Sequence, residues 1–326
     1  MSTTIRPTSL QFQCSQFTAL EAGPKVLITG AVHGDETCGT VAIRRIIAEL
    51  AEGQLVLQRG QVSLVPVTNP KAYANGTRFG DRNLNRLLQP VDEVKEFEDQ
   101  VANWLCPMMA QHEILLDLHS FRDAGQAFAM MGPENNDGPI EAFKYAREEE
   151  AFALCLGVQR YVDGWLSTYS SWLSRHGKDD EWKFGVGTTE YMRSIGGYAL
   201  TLECGSHRDP HSPEVAYRAI RNALHHFGML PYEHATDLQQ ARAQAEMLSL
   251  YHVVDRLDEN DRFSHDWRSF DALKAGDLIG TRADGAEVRA EVDGYIVFPD
   301  THAAVGSEWF YLARRTERLQ RQSASR

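Results

Sequence analysis

Apolar residues along this chain fall into short unbroken runs, separated by segments in which apolar positions recur at helical spacing. Residues 25–29 (KVLIT) are the first such run and predict a strand buried on both faces. Residues 38–50 follow with Val41, Ile43, Ile46, Ile47 and Leu50 at helix spacing. Residues 61–67 predict a second strand, stopped by Thr68-Asn69-Pro70, and residues 94–109 a second helix. Two more strands are predicted at 114–118 and 198–202. This alternation predicts an α/β fold with a largely parallel sheet covered by helices on both faces. Ligands of such sheets collect at the carboxyl ends of the strands. His33, His119 and Glu203 each lie at or just after such an end.

The pattern changes after Pro231. Residues 235–248 read as a polar helical stretch leading to Tyr251 and Val253. Short alternating segments then follow, with turns at Ala275-Gly276-Asp277, Asp284-Gly285 and Asp293-Gly294. This predicts two domains: an α/β domain at residues 1–246, and a small all-β domain at 247–326 ending in a polar tail from residue 314.

Composition narrows the partners. The 326 residues are 43% apolar and 24% charged, as in ordinary globular proteins. With 33 Lys and Arg against 45 Asp and Glu, the net charge of −12 argues against nucleic acid or an anionic membrane as partner. The five cysteines are scattered, odd in number and without a C-x-x-C pair, which fits a reducing cytoplasm. The amino terminus lacks a basic start followed by an apolar core, and no window reaches the ~18 apolar residues of a membrane span. A soluble cytoplasmic protein acting on a small molecule is expected, with homo-oligomerisation left open.

Chemistry gathers at the strand ends. His33 and Glu36 stand three residues apart on one short turn, a spacing suited to holding Zn²⁺ from two sides. In ILLDLHS, Asp117 and His119 share a face of their strand, so Asp117 could fix the second ring nitrogen of a ligating His119. Glu203 closes an apolar run, where burial without a partner or a function is costly. Residues 69–86 concentrate Arg, Lys and Asn, including planar guanidinium groups that match carboxylates. Cys38 and Cys204 adjoin these positions and read as small buried residues rather than nucleophiles. His207 and His211 read as surface turn, and Trp165, Tyr169 and Trp172 as core.

Together these segments resemble the succinylglutamate desuccinylase and aspartoacylase family, itself related to the zinc carboxypeptidases. The resemblance is carried by Gly30 with His33-Gly34-Asp35-Glu36-Thr37, Thr77-Arg78-Phe79, Asn83-Leu84-Asn85-Arg86, Asp117-Leu118-His119 and Leu202-Glu203-Cys204-Gly205. Arg193, ten residues before Glu203, and YIVFPDTHAAVG at 295–306 extend it over most of the chain.

The resemblance implies a zinc-carboxypeptidase-like mixed sheet, with one Zn²⁺ per chain bound by His33, Glu36 and His119. It implies Glu203 as general base and later proton donor, and Arg78 as the group that polarises the scissile carbonyl. Asn85 and Arg86 would hold the α-carboxylate, and Arg193 would face a second carboxylate, although an internal ion pair fits Arg193 equally. Three protein ligands leave one position open, where zinc lowers the pKa of water toward ~7. The implied reaction is hydrolysis of an N-acyl amino acid, such as an N-succinylglutamate- or N-acetylaspartate-like compound. The alternatives are a metallocarboxypeptidase acting on short peptides and a non-catalytic binding protein that keeps the fold. Asn83 stands where the family usually has Asp, leaving Asp81 or Asp117 to orient a ligating histidine. The stretch after His119 also departs from the succinylglutamate enzymes, so the acyl group and amino acid stay open.

Overall fold

The computed structural model describes residues 10–122, 125–231 and 241–319. In chain order the first part runs β1 (Ser15–Thr18), β2 (Lys25–Gly30), α1 (Cys38–Ala51), β3 (Gln61–Val65), α2 (Pro70–Asn75), α3 (Phe97–Met109), β4 (Ile114–Phe121) and β5 (Phe128–Met130). It continues with α4 (Ala146–Ala153), β6 (Arg160–Asp163), α5 (Trp165–Arg175), a 3-10 segment at Asp179–Gly185, α6 (Thr188–Ser194), β7 (Tyr198–Ser206) and α7 (Ser212–His226). The remaining strands are β8 (Glu246–Asp255), β9 (Arg262–Phe263), β10 (Ala272–Leu273), β11 (Leu278–Thr281), β12 (Glu287–Arg289), β13 (Gly294–Val297) and β14 (Glu308–Arg315).

Eleven strands form one sheet in the order β1-β3-β2-β4-β7-β5-β6-β8-β14-β13-β10. The block β3-β2-β4-β7 is parallel, and the expected α/β sheet is present. Its strands are buried along nearly their whole length because both faces are covered. Val26, Ile28, Leu116 and Leu118 share a core with Ile43 and Ile46 of α1 and Ile220 and Leu224 of α7. The intervening Leu27 and Leu115 pack on the other face with Val101 and Leu105 of α3 and Met192 of α6. Each such buried aliphatic side chain contributes about 1.5–3 kcal/mol.

The same alternation places the chemistry. Asp117 and His119 of β4 follow Leu115 on one face of the sheet, and Thr201 and Glu203 of β7 follow Ala199 on that same face. Parallel register sets His119 opposite Glu203. Cys204 points to the opposite face, where it joins Cys38 in the core, as expected of small buried residues.

Beyond the parallel block, β5 pairs antiparallel with β7, and β6 and β8 extend the sheet in parallel. Ladder pairing of β6 with β8 includes Arg160↔Glu246 and Tyr161↔Met247, so it runs unbroken across the expected boundary at 246/247. Antiparallel β14, β13 and β10 complete the sheet, and β12-β11-β9 form a separate three-stranded one. Residues 246–248, expected as the end of a polar helix, are the start of β8, because Met247 and Leu248 are buried against strand neighbours. Residues 235–240 of that stretch lie outside the described residues, as do 320–326 of the polar tail. Among the described residues no helix is long and apolar enough to cross a membrane.

Candidate active site

The loop after β2 is held in place by backbone contacts. Thr68 N–H donates to Gly30 O and Asn69 N–H to Ala31 O, while Ala31 itself adopts φ 47°. Gly34 presses on α2 so closely that a Cβ there would lie 2.0 Å from the Ala72 carbonyl carbon. Only glycine fits that contact, and it fixes His33 and Glu36 on either side of a rigid turn.

Both histidines turn Nδ1 toward the Glu36 carboxylate, His33 at 2.8 Å from Oε1 and His119 at 2.9 Å from Oε2. Their other nitrogens meet acceptors: His119 Nε2 lies 2.8 Å from Asp117 Oδ2, and His33 Nε2 lies 3.0 Å from Asn83 Oδ1. Asn83 Oδ1 is fixed as an acceptor because it also receives the Asn85 N–H. Each Nε2 must therefore donate, which leaves two bare Nδ1 lone pairs facing a carboxylate. That arrangement needs a proton or a metal cation between them. The ligand atoms of His33, Glu36 and His119 lie within 4.8 Å of one another, all three residues are buried, and the donor set fits a divalent metal ion.

Electrostatics follow from this crowding. Burial lowers the His33 pKa to about 4, keeping its ring neutral and able to ligate. For His119, burial is outweighed by the Asp117 and Glu36 charges, which hold its pKa well above the usual histidine value. Asp117 is buried, yet the His119 charge and hydrogen bonds from His119, Thr188 and Thr29 keep its pKa low. Burial, reinforced by the Glu36 charge, raises Glu203 to about 8, against opposing effects of His119 and Arg78. A dication at the ligand atoms would oppose that rise. Glu203 Oε2 is buried and has no hydrogen-bond partner among the described residues.

The arginines separate into different environments. Arg78 is 39% exposed and donates from Nη1 to Glu36 Oε1 at 2.9 Å, beside the ligand atoms. Arg86 lies over the rings of Trp165 and Tyr169 at 5.0 and 5.9 Å, so two aromatics expected only to pack also support a guanidinium. Asn85 Oδ1 accepts the Thr188 N–H at the start of α6. Arg193, expected to face a second substrate carboxylate, is instead taken up by the protein. Its guanidinium bonds Glu149, Glu141 and the Ala199 carbonyl, and the side chain is 2% exposed. The cavity it borders is also lined by Glu141 and Glu190, which would repel a substrate carboxylate.

Asp81 does not substitute for the family aspartate, since it pairs with Lys71 and the Phe97 N–H, and Asn83 itself orients His33. Sequence reasoning missed the supports of this loop. Buried Glu98 accepts the N–H groups of Gly80, Asp81 and Arg82, while Asp99 accepts two N–H bonds from Arg82 and the backbone N–H groups of Lys95 and Glu96. The acidic first turn of α3 was the available signal. His207, expected in a surface turn, is half-buried and bonds Ser120 Oγ at 2.8 Å.

Residues 22–227 match the family described as the succinylglutamate desuccinylase/aspartoacylase catalytic domain. Among curated proteins, the chain is 24% identical over 215 residues to the N-alpha-acetyl-L-2,4-diaminobutyric acid deacetylase of Halomonas elongata, covering 65% of this chain and 57% of that protein. It is 21% identical over 313 residues to the succinylglutamate desuccinylase of Shewanella frigidimarina, covering 89% and 82% of the two chains. Among solved structures, a succinylglutamate desuccinylase from Silicibacter sp. superposes with TM-score 0.69 at 20% identity, over 94% of this chain and 89% of that one. The product-bound ectoine utilization protein EutE of Ruegeria pomeroyi superposes with TM-score 0.68 at 20% identity, over 92% and 88%.

Proposed function

Because the chain belongs to the succinylglutamate desuccinylase/aspartoacylase family, we propose that it is a zinc-dependent amidohydrolase converting an N-acyl amino acid into a carboxylate and a free amine. The observation that carries this reading is the pair of Nδ1 atoms facing Glu36, with Glu203 Oε2, unpartnered among the described residues, on the adjoining strand. His33, Glu36 and His119 would hold the zinc ion, which when bound would supply Lewis-acid polarisation and acidify water at neutral pH.

The chain's own groups do the rest. Glu203 takes the proton of the attacking water at its free oxygen and returns it to the departing amine nitrogen. Burial raises the pKa of this carboxyl and a bound dication would lower it again, opposing effects that suit a group which both takes and returns a proton near neutral pH. Arg78 donates to the oxygen on which negative charge develops, a contribution commonly worth ~3 kcal/mol. Asn85, through its amide nitrogen, and Arg86, braced on Trp165, hold the α-carboxylate. Deacylase names among the relatives support the substrate class, which is an N-acyl amino acid rather than a peptide.

Acetyl-, succinyl- and formyl-amino acids, with short peptides as controls, test this by release of free amine with and without chelator. Hydrolysis of at least one acyl series, lost on chelation and restored by zinc, is expected. Chelator-insensitive hydrolysis, or near-normal turnover by zinc-loaded Glu203→Gln, refutes the assignment.

A further inference from the structure

His207 is absorbed neither by the proposed chemistry nor by the surface turn in which its sequence places it. One of its ring nitrogens, a carboxylate oxygen of Asp35 and a carboxylate oxygen of Glu36 all lie within 4.8 Å of one another. This second group shares Glu36 with the first. Asp35 is half-buried, but its Oδ1 is cut off from solvent and has no hydrogen-bond partner among the described residues. A carboxylate oxygen placed in that way is costly to leave without a hydrogen bond or a positive charge beside it, and a bound cation would supply the latter. The supports of a metal site are also present. Ser120 Oγ fixes the His207 ring through Nδ1, and the Ser120 N–H donates to Glu36 Oε2, so one residue orients two of the three ligands. Asp35 is further preorganised by its neighbour Gly34, locked against α2.

We propose that Asp35, Glu36 and His207 form a second divalent transition-metal site, with Glu36 bridging it to the site of His33 and His119. One imidazole and two carboxylates suit zinc, and a shared carboxylate matches the close spacing of two-metal hydrolase centres. The second site has one histidine where the first has two and is more open to solvent, so it fills after the first. This inference rests on the metal reading above.

Equilibrium dialysis of the purified full-length chain against zinc, from micromolar to millimolar, tests it. Two equivalents are expected, the second bound at least about 10-fold more weakly, and His207→Gln and Asp35→Asn should each weaken the second by more than roughly 10-fold, the lower end for losing even a supporting residue. Retention of the first equivalent certifies that the variants are folded. Cobalt substitution adds an independent readout: the second equivalent should reduce the paramagnetic resonance signal of the first, because a bridging carboxylate couples the two ions. Saturation of the wild type at one equivalent overturns the second site alone. A second equivalent that persists in both variants, or that leaves the first cobalt signal unchanged, does the same. Failure to bind any zinc overturns the metal reading together with it.

Discussion

Replacing Arg193 with Met removes a guanidinium that lies 2% exposed between Glu149 and Glu141. Glu149 keeps the Gly132 and Ala199 N–H groups as donors but loses two charge-assisted bonds, and its charge stays buried. Removing one partner of such a pair costs about 3–5 kcal/mol. Unfolding entropy near 2.1 cal/mol/K per residue gives roughly 0.7 kcal/mol/K for 326 residues, so the midpoint should fall by roughly 4–7 °C. Calorimetry reads that shift directly. KM for the best substrate of the acyl panel, measured well below the transition, should stay within about twofold of wild type, because four of the five Arg193 N–H donors are bonded within the protein and the side chain is 2% exposed. A midpoint displaced by less than about 1 °C, together with a KM raised tenfold or more, would refute the structural role and restore the substrate contact.

Asn83→Ala removes the acceptor that orients His33 and should weaken zinc binding about 10- to 100-fold in competition with a chromophoric chelator. Unchanged affinity would mean that Asn83 does not orient a ligand. Arg86→Ala should raise KM far more than it lowers kcat, since Arg86 is assigned to the α-carboxylate rather than to the reacting carbonyl; the reverse split would contradict that role. Asp99 tests the loop supports by pH. Although burial opposes it, the N–H groups of Lys95 and Glu96 and the Arg82 guanidinium hold its pKa below the usual carboxylate value. Its stabilising contribution is therefore present above the unfolded value near 4 and is lost as pH falls through the lower folded one. Asp99→Asn should be about 1–2 kcal/mol less stable than wild type in urea at pH 7. That gap should shrink toward pH 3, and a gap independent of pH would exclude the charge as its source.

The parallel core was legible because burial on both faces writes itself into unbroken runs such as residues 25–29 and 114–118. The positions of His33, His119 and Glu203 at the ends of such runs followed directly. Other parts depended on tertiary pairing that leaves no local period. β5 contributes three residues between β7 and β6, and its apolar Phe-Ala-Met reads equally as a loop. The roles of Asn83, Arg193 and His207 are set by partners 50, 44 and 87 positions away, His33, Glu149 and Ser120, and no spacing rule reaches them. Arg193 shows the limit of motif transfer: the position recurs, but whether its charge meets substrate or protein is decided by Glu149 on another helix.

Strand order has a bearing on biosynthesis. β8 pairs with β6 on one side and with β14 on the other, and β14 is the last strand of the described chain. Until residues 308–315 leave the ribosome, β8 presents a ten-residue unpaired edge, a template for wrong pairing with another nascent chain. Arg318 then clasps Glu150 and Asp163 from just beyond β14. Emergence of β14, rather than of the parallel block, is thus the step after which the β8 edge is protected from self-association.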